Sequence, residues 1–147
     1  MNTVKDILAQ KGHDVWTIEP TANLLMALQR LRTQNVGALL VMEGSSVKGI
    51  ISERDFAWRI AEKGSCSLDQ SVAAWMTKEV IVVSSETTIN DCMQLMSKAH
   101  IRHLPVVDGD DLVGLISIGD VVRALIAGQQ ATIAGLENYI LSQTHEM

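Results

Sequence analysis

Aromatic residues make up only 3% of the chain: three Trp, one Tyr and one Phe. Any core must therefore be aliphatic, drawn from Val, Ile, Leu, Ala and the seven Met. Basic residues are not in excess either. The formal net charge is -5, which argues against nonspecific attraction to nucleic acid, because that needs a basic footprint. A local basic site for a small anion stays open. No apolar run approaches the roughly 18 residues of a membrane span. The opening MNTVKDILAQKGHDV lacks the charged-then-apolar pattern of a signal peptide. Cysteine is scarce. Cys66 lies in a polar stretch and Cys92 on an apolar helical stripe. Neither has metal-ligand spacing and nothing demands a disulfide, so a reducing cytoplasm is the expected location.

What is present is a phrase written twice. KGIISERD (48–55) and VGLISIGD (113–120) both read Gly, apolar pair, Ser, two variable residues, Asp. Aligning Asp55 on Asp120 also aligns Val15 with Val80, Leu39 with Leu104, Val41 with Val106 and Gly44 with Gly109. VKDIL (4–8) matches VAAWM (72–76) after a short insertion. The chain of 147 residues is thus two copies of one unit. The expected boundaries are 1–63 for the first repeat, 64–71 for a polar linker, 72–128 for the second repeat and 129–147 for a tail.

Each copy has the same expected elements. VWTI (15–18) and VIVVS (80–84) are β-branched runs, hence strands. Apolar residues at helical spacing follow: Leu24, Ala27, Leu28 and Leu31, then Ile89, Cys92, Met93 and Met96. ALLVM (38–42) and LPVVD (104–108) read as strands. EGSS (43–46) and DGDD (108–111) read as hairpin turns leading into return strands that end at Ser52 and Ser117. A second helix follows each Ser. The tail carries Ile133, Leu136 and Ile140 on a helical stripe. The fold class is α+β, two tandem β-α-β-β-α repeats with a C-terminal helix. A unit of about 55–60 residues is marginal alone, so one module packed through its two sheets is expected.

The Ser-x-x-Asp steps admit two readings. Placed where a strand turns into a helix, Ser with an acid three residues later is a capping box. The same helix N-terminus offers N–H groups to a phosphate, and the carboxylate can accept both vicinal hydroxyls of a ribose. Arg102 and His103 precede Leu104 and Pro105; they are either a solvated turn or a phosphate grip. Pro105 lacks an N–H and suits a sheet edge. The first copy has Gly37 and Ala38 there, with Leu40 for Pro105, and Arg54 is positioned to compensate. His100 and His103 lack a third metal ligand nearby. Asp108, Asp110 and Asp111 lack the alternation of a calcium loop. Trp16, Trp58 and Trp75 are candidates for core or interface packing, and Met26, Met42, Met76, Met93 and Met96 for core filler.

The doubled phrase, the order of elements and the stretch IRHLPVVD (101–108) resemble the CBS domain family, whose tandem pairs are known as Bateman modules. The resemblance spans residues 1 to about 128. It implies clefts that bind AMP, ADP, ATP, S-adenosylmethionine or NAD(H), a homodimer, and regulation of an unknown partner protein without catalysis. Nucleic acid, membrane, metal and catalytic residues are not expected. Carried onto this chain, Asp55 and Asp120 would hold ribose, and Ser52, Ser117, Arg54, Arg102 and His103 phosphate. Strand segments at Val80, Ile81, His103 and Pro105, with Thr17 and Ala38 in the first copy, would hold adenine. NAD(H) contains the same adenosine half and is the rival ligand. A structural oligomerisation module without ligand is the rival role.

Overall fold

The computed structural model describes residues 2–145, with side chains as far as Leu141. Its elements run α1 (Val4–Lys11), β1 (Thr17–Ile18), α2 (Leu24–Gln34), β2 (Ala38–Glu43), β3 (Ser46–Ser52), α3 (Glu53–Lys63), α4 (Val72–Trp75), α5 (Ile89–Ala99), β4 (His103–Asp108), β5 (Asp111–Ser117) and α6 (Ile118–His145). They gather into two compact units: a central one of residues 14–81, and a flanking one of Met1–His13 with Val82–Met147.

The compact units are offset from the sequence repeats. Helix α1 opens the first repeat but packs in the unit that holds the second, and α4 does the converse. The docking is the same in both. In the flanking unit the Val4 N–H donates to Thr87 O at 2.9 Å and the Ile89 N–H to Asn2 O at 3.0 Å. In the central unit the Leu24 N–H donates to Gln70 O at 2.9 Å and the Val72 N–H to Ala22 O at 2.8 Å. Each incoming helix thus zips its start against the start of the resident helix, satisfying amide groups that a helix N-terminus leaves open. The polar stretch 64–71 is therefore partly ordered by α2 rather than a free tether.

The glycine of the doubled phrase has a physical reason. A Cβ on Gly114 would stand 2.7 Å from Leu8 Cδ2, and one on Gly49 would stand 2.7 Å from both Met76 Sδ and Thr77 O. The bare backbone lets the incoming segment lie directly on the hairpin. Both hairpins carry a β-bulge beside that glycine, between Val41 and Met42 and between Val106 and Val107. Gly44 and Gly109, at φ +63° and +61°, supply the left-handed residue a two-residue hairpin turn needs.

The cores are largely aliphatic, with Phe56 and Trp75 the aromatic exceptions. Val4, Ile7, Leu8, Val83, Ile89, Met96, Leu104, Ile116 and Val121 form one. Ile18, Leu24, Leu31, Leu39, Val41, Ile51, Phe56 and Trp75 form the other. Trp75 and Met76 are core residues; Trp16 and Trp58 are substantially exposed, outside the core, and Met26, expected as core filler, is exposed as well.

Three elements differ from expectation. The first strand is only Thr17–Ile18. The run 80–84 forms no strand, only a parallel bridge between Val83 and Val106. In the first copy the Leu40 N–H donates to Trp16 O at 3.1 Å; Pro105 occupies the matching position and has no N–H to give. The tail, finally, is not a separate helix. α6 runs unbroken from Ile118 through Gly128, since glycine weakens a helix without ending it.

Candidate functional site

Both Ser-x-x-Asp steps are capping boxes. In the central unit Ser52 Oγ accepts the Asp55 N–H at 3.3 Å while Asp55 Oδ2 accepts the Ser52 N–H at 2.9 Å. In the flanking unit Ser117 Oγ accepts the Asp120 N–H at 3.2 Å and Asp120 Oδ2 accepts the Ser117 N–H at 2.8 Å. The hairpins set these caps in place. Ala38 pairs with Ser52, and His103 with Ser117. The Glu53 N–H donates to Gly37 O at 3.1 Å and the Ile118 N–H to Arg102 O at 2.8 Å. Arg102, His103, Ser117 and Asp120 are thereby brought to one hairpin end, and Ala38, Ser52, Arg54 and Asp55 to the other.

The two carboxylates differ in what else they hold. Asp55 is half-buried, and its Oδ1 accepts the Thr77 hydroxyl at 3.1 Å. Asp120 is 8% exposed and bridges two cations. Lys11 Nζ donates to its Oδ2 at 2.8 Å and Arg123 Nη2 to its Oδ1 at 2.7 Å. Lys11 Nζ also donates to Leu115 O at 2.8 Å. Burial alone would raise the Asp120 pKa; the Lys11 ammonium and the Ser117 amide outweigh it and hold the carboxyl below its ordinary value. Ile7, Gln10, Lys11, Asp120, Arg123 and Ala124 line a cavity of about 230 Å³ there.

The remaining sequence candidates fall as follows. The Arg54 guanidinium stacks 4.1 Å over the Trp58 ring. Arg102 is exposed and Pro105 buried. Ala38 is only 2% exposed. The Thr17 carbonyl accepts from Arg30 at 2.7 Å, and the residue is exposed. Val80 and Ile81 close the central unit, with Ile81 exposed; they are grouped with Ser52 and Asp55 rather than with Ser117 and Asp120.

His100 is a helix C-cap at φ 55°, matching Asn35 at φ 54°, which accounts for its place in the sequence. Asp108 accepts the Ser85 N–H at 2.9 Å and so fixes its hairpin. Among the described residues no three His, Cys, Asp or Glu side chains gather as a metal site. No described helix is long and apolar enough to cross a membrane.

Sequence reasoning missed Lys11, Arg123 and Thr77. Arg123 was within reach of it, being three residues after Asp120 on one helix face. Lys11 and Thr77 arrive only through the exchanged segments, for which neighbouring sequence carries no signal.

The chain belongs to the CBS domain family: the family model matches twice, at residues 4–62 and 72–127. It is 35% identical to the mitochondrial CBS domain-containing protein CBSX3 of Arabidopsis thaliana, over 94% of this chain and 71% of that one. A CBS-domain protein of Agrobacterium tumefaciens superposes with TM-score 0.80 at 39% identity, covering 84% of this chain and 98% of its own. A CBS domain protein of Pyrobaculum aerophilum, solved with AMP, shares the fold at TM-score 0.69 and 23% identity, over 80% of this chain and 88% of that one.

Proposed function

We propose that this protein is a regulatory module that binds an adenine nucleotide, AMP, ADP or ATP, and passes its occupancy to a partner protein. The observation that carries the reading is the pairing of each capped Asp with a hairpin end: Asp55 beside Ser52 and Arg54, and Asp120 beside Ser117, Arg102 and His103. A carboxylate there suits a ribose diol, and hydroxyls with basic groups suit phosphate. The AMP complex of the Pyrobaculum protein supports the ligand class. NAD(H) would place its adenosine half on the same residues. A homodimer in a reducing compartment such as the cytoplasm completes the reading, the latter in keeping with the free thiols of Cys66 and Cys92.

One observation favours a structural role at one of the two steps. Asp120 already holds two cations, so a ribose must compete with Lys11 and Arg123 for it. Thermal melts with AMP, ATP, NAD and GMP test the proposal, together with mass spectrometry of protein purified without added nucleotide. A ligand at a hundred times its dissociation constant stabilises the fold by about 2.7 kcal/mol, a rise of roughly 5–10 °C for a small domain. A melting point indifferent to every adenosine compound would leave only the structural role.

A further inference from the structure

The outer half of α6 presents exposed apolar side chains. Ile126, Ile133, Leu136 and Ile140 are 48%, 55%, 58% and 61% exposed. Their spacing of seven, three and four residues lines them along one helix face. Tyr139 and Leu141, at 63% and 57% exposed, flank that face on its two sides. Core contacts from α6 come instead from Val121 and Ala124, with Leu125 packed beside them, all nearer the helix start.

Charge narrows the choice of partner. From Ala124 to Thr144 Glu137 is the lone charged residue. A helix meant for water normally carries charged i,i+4 pairs on its outer face. A surface recognising an acidic or basic protein would carry the opposite sign. This one carries a single charge, Glu137, on the edge of the stripe four residues after Ile133, too little for a charged partner, so the complement it fits is another apolar stripe. A two-fold axis supplies that without a second gene product, because each copy presents the same patch. The area is sufficient: at on the order of 60–100 Å² per half-exposed large side chain, six per protomer remove about 1,000 Å² between them. Beside the stripe a groove of about 550 Å³ runs between α6 and the start of α5, bordered by Gly128 and Ile133. It gives the flanking side chains of a second helix a place to settle.

We propose that residues 126–141 of α6 are the face through which two copies of this chain associate, stripe against stripe. The inference deepens the homodimer named above and rests on it. The test is light scattering and sedimentation equilibrium on the full chain. It compares wild type, the double variant Ile133→Glu with Ile140→Glu, and Ala131→Glu as a control on the opposite helix face. The expected result is a dimer for wild type and control, at least hundredfold weaker association for the double variant, and unchanged circular dichroism throughout. A double variant that dimerises like wild type would overturn the face while leaving the dimer standing. A monomeric wild type would overturn both. A monomeric wild type that floats with phosphatidylcholine vesicles would assign the stripe to a lipid surface instead.

Discussion

Lys11 Nζ lies 2.8 Å from Asp120 Oδ2, although 109 residues separate them in sequence. The pair exists because α1 docks in the unit built on the second repeat. It ties the incoming helix to the cap of α6, and it contributes to the acid response of that unit. Asp120 has a folded pKa below its ordinary value. Its contribution to stability is therefore present above the unfolded value, about 3.9, and is lost as pH falls through the lower folded value. Asp6, held by the Asn2 and Thr3 amides, and Asp108, held by the Ser85 amide, are shifted the same way. We expect urea midpoints to fall with pH below about 4, and to fall less steeply in Asp120→Asn. An equal slope in the variant would show that the ion pair does not govern acid stability.

The glycines of the repeated phrase yield a graded prediction. In Gly49→Ala the new methyl would meet a backbone oxygen, Thr77 O, at 2.7 Å. In Gly114→Ala it would meet the end of a side chain, Leu8 Cδ2, at the same distance. A leucine can turn away; a backbone that also pairs with Ile50 cannot without breaking bonds of 2.8 and 3.0 Å. Overpacking of this kind costs roughly 1–3 kcal/mol, with Gly49→Ala at the upper end and Gly114→Ala at the lower. Chemical denaturation of both variants measures the order, and the reverse order would refute the account.

The hairpins were legible in the sequence because their signals are local. Alternating apolar residues, Gly44 and Gly109 at the turns, and Ser before each second helix all act within a few residues. The duplication made each copy a check on the other. What was not legible depends on tertiary contact. VIVVS has the composition of a strand, yet it keeps one bridge, because Pro105 withholds the donor that Leu40 supplies in the first copy. Nothing in the sequence around Lys11 points to Asp120, and only the exchange of α1 carries it there. The capping box was visible as S-x-x-D, but the pattern alone does not separate a helix cap from a ribose clamp.

The two thiols should react differently. Burial, with the Asp91 charge beside it, pushes the Cys92 thiol up to about 11, and the side chain is fully buried. Cys66 is partly exposed in the stretch before α4. Thiolate is the reactive form. Iodoacetamide at pH 8 should therefore modify one cysteine per native chain, identified as Cys66 by peptide mapping, and two after denaturation. Modification of Cys92 at a comparable rate in the native protein would contradict this burial.

The cap and the ribose clamp separate in paired Asn variants. Asn can still accept a backbone N–H, so a pure cap loses well under ~1 kcal/mol in Asp55→Asn. Asp120→Asn should cost more without ligand, on the order of 1–2 kcal/mol, because it removes the carboxylate from Lys11 and Arg123; exposure of those two side chains keeps the figure modest. Ligand affinity should divide the other way. Asp55 accepts from the Ser52 N–H and hydroxyl and from the Thr77 hydroxyl, neutral donors that a ribose diol can replace, whereas on Asp120 it must compete with Lys11 and Arg123. Against ribose, an amide offers one acceptor and one donor group where the carboxylate offers two charged acceptors. Asp55→Asn should therefore weaken AMP binding by roughly tenfold to a hundredfold, with the smaller effect in Asp120→Asn. Calorimetric titration of AMP into wild type and both variants, alongside ligand-free melts, measures each quantity separately. Unchanged AMP affinity in both variants, with the stability losses intact, would make the repeated phrase a helix cap and nothing more.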